Sequence, residues 1–215
     1  MSLVASNIFS DITDTLHDWS SHWWFLAAIF AIALLDSVIP AVPSETTVII
    51  GGVAVATGDP PYTLWMVIVA GALGAFLGDN LAYAIGHKFS PWFHRRAETK
   101  PRTAARLQWA TDQIRTRGGP LLITARFIPG GRSVLTITSG ITRQPRLWFA
   151  GWIAVAAVIW ASYAAVLAFV VGQPFEDNHT AAFWVAFGTA LAVNVLIEVV
   201  RWVLHRRSPK EVAVG

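Results

Sequence analysis

The sequence predicts an all-α integral membrane protein, an inverted repeat of two re-entrant helical hairpins with spanning helices and interfacial amphipathic helices. Three observations carry this. Hydrophobic residues fill 54% of the 215 positions and charged residues 13%, with a mean hydropathy of +0.52, whereas a soluble domain carries about 25% charged residues. Several apolar runs approach or exceed the roughly 20 residues that cross a bilayer as a helix. Two of these runs are broken by prolines or glycines together with ionised groups. The first break reads Asp36-Ser37-Val38-Ile39-Pro40-Ala41-Val42-Pro43-Ser44-Glu45, the second Arg126-Phe127-Ile128-Pro129-Gly130-Gly131-Arg132-Ser133. Charge at membrane depth is expensive and marks functional pathways, and two such breaks at corresponding places in two halves point to a transporter site.

Residues 5–20 predict an interfacial amphipathic helix, with Ile8, Ile12, Leu16 and Trp19 on one face. Residues 23–39 and 44–57 are apolar limbs on either side of Pro40 and Pro43, the second too short to span. Gly58-Asp59-Pro60-Pro61 is a turn, and 62–86 a spanning helix. Its Gly71, Gly74, Gly78, Ala82 and Gly86 suit close helix packing, within the chain or in a homodimer. The basic stretch 87–118 follows. Within it, 102–117 repeats the amphipathic pattern through Leu107, Ala110 and Ile114. Residues 119–142 form the second broken segment. Residues 147–171 and 181–204 are spanning helices joined by an acidic turn at 173–178, and the tail 205–215 is basic. Trp19, Trp23, Trp24, Trp65, Trp148, Trp184 and Trp202 fall near ends of apolar runs, as interfacial belts require, while Trp152 and Trp160 read as packing residues.

The whole chain, 1–215, is thus one polytopic membrane domain. Repeat one covers about 5–86, a basic connector 87–101, repeat two about 102–171, a final transmembrane helix 181–204 and the tail 205–215. No Lys or Arg precedes Lys88, so no cleavable signal peptide is expected. The basic clusters place loop 87–118 and the C-terminus in the cytoplasm. Residues 119–142 then enter and leave by the cytoplasmic face. With the N-terminus outside, 23–57 is the mirror-image hairpin; with it inside, 23–39 is a full span. The sequence pI near 9.7 reflects topology and contact with anionic lipid rather than nucleic-acid binding.

Broken backbone in a bilayer is tolerated only where it is buried in protein or lines a wet cavity. The tips of the two hairpins therefore face each other or water. Arg126 and Arg132 suit a phosphate, because a guanidinium donates parallel hydrogen bonds and stays charged. Gly130, Gly131 and Ser133 add backbone access and N–H groups at a broken helix end. Asp36 and Glu45 are candidate proton-exchanging or gating acids, or else salt-bridge partners of those arginines. Asp79, Ser44 and Tyr83 are secondary candidates. For Asp79 the competing reading is a local bond to Asn80, Tyr83 or a hairpin backbone. The six histidines lack metal-ligand spacing, there are no cysteines, and no nucleophile, P-loop or dinucleotide motif occurs. No enzyme, metal or cofactor is expected.

The pattern resembles the DedA family, also called the SNARE-associated or VTT-domain family. The residues that carry it are Asp36-x-x-x-Pro40-x-x-Pro43-Ser44-Glu45, Gly78-Asp79-x-x-x-Tyr83-x-x-Gly86 and Arg126-Phe127-Ile128-Pro129-Gly130-x-Arg132. Gly140 and the Phe149 to Trp160 stretch also fit. The resemblance implies two opposed re-entrant hairpins and transport of lipid: undecaprenyl phosphate or a related polyprenyl phosphate across the bacterial plasma membrane, with the proton motive force engaged in some members, or phospholipid scrambling in eukaryotic relatives. It maps the family's two acids onto Asp36 and Glu45 and its two arginines onto Arg126 and Arg132. Two departures stand out. Asp36 replaces the more usual Glu, and His87-Lys88 replaces a Gly-Arg ending. The expected activity is a lipid transporter or flippase for a phosphate-bearing lipid, coupled or not to protons. A phospholipid scramblase and a proton-coupled antiporter of a small solute are the alternatives.

Overall fold

A computed structural model describes residues 19–39, 44–58, 60–126, 131–175, 181–182, 184–189 and 192. Among them the chain is helical and without strands. We number the helices α1 Trp24–Val38, α2 Ser44–Thr57, α3 Leu64–Thr99, α4 Pro101–Arg117, α5 Gly119–Ala125, α6 Gly131–Ile141 and α7 Arg146–Gly172, followed by a 3-10 turn Gln173–Phe175. Helices α3 and α7, the latter extended through Phe175, are long and apolar enough to cross a membrane; α1 and α2 are shorter apolar helices. Most of the proposed amphipathic helix 5–20, the tip residues 40–43 and 127–130, and most of the final helix 181–204 lie outside the described residues.

Local chemistry sets the ends. Ile39 is extended, φ −118° and ψ 93°, as the residue before a proline must be, and α1 stops there. Pro101 sits in the first turn of α4, where its missing N–H is an orphan anyway, and Gly118 at φ 62° turns the chain from α4 into α5. α3 does not end at Gly86, as hydropathy had placed its limit, but continues to Thr99. At 1.5 Å per residue its 36 residues reach about 54 Å, well beyond a hydrocarbon core of about 30 Å. Pro91 breaks one hydrogen bond on this outer, exposed part, where water can take up the freed carbonyl.

The helices pack as two interlocked sets. α1 lies along α3 and α5 along α7, so the first arm of each broken segment rests on the long helix that follows it. The second arms cross over: α2 packs on α7 and α6 on α3, while α3 and α7 pack on each other. Tyr62 Oη donates to Ser20 O at 2.5 Å, closing the end where α1 starts and α2 finishes. The opposite end is tied by Tyr83 Oη to Gln144 O at 2.6 Å and Ser90 Oγ to Ile141 O at 2.7 Å.

The small-residue face of α3 is consumed inside the chain. A Cβ on Gly74 would lie 2.2 Å from Phe30 O of α1, and one on Gly86 2.2 Å from Ile137 O of α6. That face packs against α1 and α6 within the chain. A methyl at Gly86 has only backbone to push against, so Gly86→Ala should cost about 1–3 kcal/mol. Gly151→Ala, whose Cβ meets nothing within 4 Å, should be neutral. Thermal unfolding of the two variants in detergent checks this.

Candidate functional site

Both broken segments deliver their charges to one place between α3 and α7. Asp36 lies in the last turn of α1, four residues before Pro40, and Ser44 and Glu45 begin α2 just after the break. Ser44 Oγ donates to Asp36 Oδ2 at 2.5 Å across the break. On the second segment Arg126 follows the last residue of α5, and Arg132 and Ser133 lie in the first turn of α6.

Charged residues flanking the two breaks meet directly. Arg132 Nη2 is 3.1 Å from Asp36 Oδ2 and donates to the Asp36 backbone carbonyl at 2.7 Å. Arg126 takes a different acid from either of those on the first tip: its Nη1 donates to Asp79 Oδ2 at 2.6 Å. The side chains of this pair are 2% and 0% exposed. Arg132 Nε stands 3.8 Å from Asp79 Oδ1, so the two arginines share this carboxylate. Asp79 thus does not settle on Asn80, Tyr83 or a hairpin backbone. Asn80 Nδ2 donates to Phe76 O instead.

Trp160 of α7 completes the arrangement. The Arg126 Cζ lies 5.0 Å from the centre of its ring, within cation–π range. The contacts form a chain, Ser44–Asp36–Arg132–Asp79–Arg126–Trp160, that visits α2, α1, α6, α3, the end of α5 and α7.

The site is dry on one side and open on the other. Arg126 and Ser133 are buried, whereas Glu45 is exposed and Asp36 and Arg132 side chains keep 17% and 11% of their surface. Arg126 Nε and Nη2 and Ser133 Oγ find no hydrogen-bond partner among the described residues. Unsatisfied donors at such depth are costly and call for an acceptor. Gly131 opens α6 beside them; Gly130 lies outside the described residues. Tyr83 does not join the site, its ring stacking on Phe149 at 4.6 Å near the far end of α6. Among the described residues no group of three or more His, Asp or Glu side chains converges in a way that could hold a metal ion.

Sequence reasoning missed the pairing of Asp79 with Arg126 and the place of Trp160. The first had a signal, a lone acid inside an apolar helix, with no local clue to its partner. The second had a weaker one, a Trp near the middle of α7, far from any interface.

Comparison with known proteins places these residues in a family. The VTT domain model matches residues 42–170, which include Ser44, Glu45, Asp79, Arg126, Arg132 and Trp160, and the chain belongs to that family, the DedA family of membrane proteins. It is 28% identical over 195 residues to an uncharacterized membrane protein of Synechocystis sp., covering 89% of this chain and 88% of the relative. It is 21% identical over 194 residues to Protein DedA of Escherichia coli, 88% and 87% covered. It is 24% identical over 160 residues to undecaprenyl phosphate transporter A of Bacillus subtilis, 74% and 80% covered. No solved structure matches.

Removing one member of a buried ion pair leaves an uncompensated charge, at a cost of about 3–5 kcal/mol, whereas replacing both by apolar groups is far milder. Asp79→Leu should therefore destabilise the protein strongly, and Asp79→Leu with Arg126→Met should recover most of the loss. Thermal unfolding of single and double variants in the same detergent tests the pairing.

Proposed function

We propose that this protein carries a lipid with a phosphate headgroup, undecaprenyl phosphate or a related polyprenyl phosphate, across the bacterial plasma membrane. The observation that carries the reading is the cluster of two guanidinium groups and three carboxylates held between two long apolar helices, with guanidinium and hydroxyl donors at its buried end that have no partner among the described residues. A phosphate supplies the acceptors those donors lack, and arginine binds it through paired hydrogen bonds. The name of the Bacillus subtilis relative, an undecaprenyl phosphate transporter, agrees with this substrate class.

The phosphate would sit between Arg126 and Arg132, with Ser133 and the backbone at 130 and 131 contributing hydrogen bonds. Three carboxylates already face two guanidiniums, so an arriving phosphate increases an existing negative surplus. Proton uptake by a carboxylate offsets that surplus, and proton release accompanies departure of the lipid. Glu45 suits this exchange best, since it is exposed and makes no ion pair among the described residues, while Asp36 is held by Arg132 and Ser44. The lipid tail stays in the bilayer as the headgroup crosses.

The exchanged packing of hairpin arms supports an inverted repeat, with 23–57 entering from outside and 119–142 from the cytoplasm. The basic outer part of α3 and helix α4 then face the cytoplasm. Since the chain has no cysteine, single-cysteine labelling can test the topology. A membrane-impermeant maleimide should reach Trp109→Cys only from the cytoplasmic side and Trp65→Cys only from outside, and labelling of both from one side refutes the arrangement.

In proteoliposomes, translocation of polyprenyl phosphate should fall at least about ten-fold in Arg126→Ala and in Arg132→Ala, the scale of a lost charge-assisted phosphate contact. Arg132→Lys should retain an intermediate rate, and the dephosphorylated polyprenol should not move. If both alanine variants move the lipid as fast as wild type, the reading is wrong. Transport of a small solute with no lipid-phosphate binding would instead identify a proton-coupled antiporter.

A further inference from the structure

Cations also collect past the far end of α6. There the chain turns through Arg143 at φ 54°, the one non-glycine residue with positive φ among the described residues. The turn is a Schellman cap: Gln144 N–H donates to Ser139 O at 3.0 Å and Arg143 N–H to Gly140 O at 3.1 Å. Glycine suits that position best, because a Cβ is disfavoured there. The turn itself gains nothing from an arginine side chain. Nor does the tie between α6 and α3 depend on it, since Ser90 Oγ already donates to Ile141 O at 2.7 Å.

What the side chain adds is a fixed cation. Arg143 Nε donates to Ser90 Oγ at 3.1 Å. His94 is pinned to the same serine: its Nδ1 lies 2.8 Å from Ser90 O, which can only accept, so Nδ1 carries the hydrogen. Each side chain is held by its inner nitrogen. The two Nη groups of Arg143 and Nε2 of His94 are left to meet a ligand. Both residues are exposed, whereas Ser90 is buried. Arg146 opens α7 three residues on and is exposed as well. No Asp or Glu occurs between Asp112 and Glu176, and neither arginine makes an ion pair among the described residues. Directly after Arg146, Leu147 is 90% exposed at the start of a helix apolar enough to cross a membrane. A leucine so placed belongs in lipid, which sets the two arginines at headgroup level. Guanidinium groups there match a phosphate with paired donors.

We propose that Arg143 and Arg146, with His94 beside them, form a surface site for the phosphate of a lipid headgroup, at the end of the molecule that the topology above places in the cytoplasm. It is separate from the buried cluster, because the 11 residues of α6, at 1.5 Å each, put about 16 Å between the two. A lipid phosphate held there sits at the membrane edge of the helix whose first turn carries Arg132. The inference uses the membrane placement of α7 and not the transport reading, so it can hold in a protein that moves no lipid.

The test uses the full chain in nanodiscs, carrying Leu147→Cys labelled with bimane; the chain has no other cysteine. Lipids with a quencher high on the acyl chain report which headgroup stays beside the label. Phosphatidic acid should be enriched there over phosphatidylcholine by about five-fold or more, the scale of one or two basic residues at an anionic surface. R143G and R146Q should each remove most of the enrichment, while R102Q, which neutralises an exposed arginine of α4, should leave it intact. R143G should unfold no earlier than wild type, since glycine relieves the turn. Inorganic phosphate in the buffer should not displace the lipid. The proposal is overturned if phosphatidic acid is not enriched, if R143G keeps the enrichment, or if R102Q lowers it as much as R143G does, which would make it diffuse charge. Displacement by inorganic phosphate would overturn it too, in favour of a site for the free anion. Should R143G not fold, R143Q is read in the same way, because its amide can keep the bond to Ser90. Quenching by neither lipid would put Leu147 outside the bilayer and overturn both this site and the placement of α7. Absence of polyprenyl-phosphate translocation with the enrichment intact would fail the transport reading alone.

Discussion

The Arg126–Asp79 ion pair, at 2% and 0% exposure, is the constraint around which the helices are arranged. Neither charge can be left alone among apolar helices, because an unpaired ion at that depth costs several kcal/mol. The pair joins a position next to the second break to the middle of α3, which requires α5 and α6 to end against α3 at that level. Arg132, six residues on, then reaches Asp36, and the first break is drawn to the same level. Each segment could bury its apolar face in other ways. Pairing of the charges selects this one, as polar networks specify register in other apolar settings.

Close helix packing makes the pairing possible. The charges meet only if α1 and α6 both lie tightly on α3, and glycines at 74, 78 and 86 let carbonyls of Phe30, Leu34 and Ile137 approach to distances that any side chain would forbid. Gly52 of α2 admits the Ala165 carbonyl of α7 in the same manner. In lipid, where burial of apolar surface gives little drive for association, such contact distances matter more than in water. The polar ties at the two ends, Tyr62 to Ser20 and Ser90 to Ile141, hold the helix ends while the middle carries the charge.

Much of this was legible in the sequence. The limits of α1, α2, α4 and α7 follow from Pro40, Pro43, Pro101, Gly118 and Pro145 together with the length of the apolar runs, since these residues act locally. That Asp36 and Arg132 face either each other or water follows from the rule that broken backbone in a bilayer must be buried in protein or line a wet cavity, but that they meet does not. What lay beyond reach depends on contacts distant in the chain. Hydropathy marked Gly86 as a boundary because polarity changes there, yet a helix has no need to stop where its surroundings turn aqueous. The charge on Arg126 could pair with any of three acids, and only the rotational setting of α3 against α5 chooses Asp79. Trp160 read as bulk because a tryptophan far from the interface has no local signature of the cation beneath it.

Arg132 has a double engagement that ties the two breaks together. Its guanidinium meets the carboxylate of Asp36 and also the Asp36 main-chain carbonyl, one of the last carbonyls of α1, which the helix itself leaves without a partner. An aspartate is well suited to this, because its short side chain keeps the carboxylate near its own backbone where one Nη2 group can reach both; a glutamate would hold the two acceptors further apart. Arg132 therefore caps the end of α1 as well as pairing with the carboxylate. The end of α1 is joined through the Pro40 break to Ser44 and Glu45. A change at Arg132 would thereby be felt across the first break. One arginine thus joins the two broken segments, and Asp79, holding Arg126 and standing 3.8 Å from Arg132, is a buried anchor common to both guanidiniums.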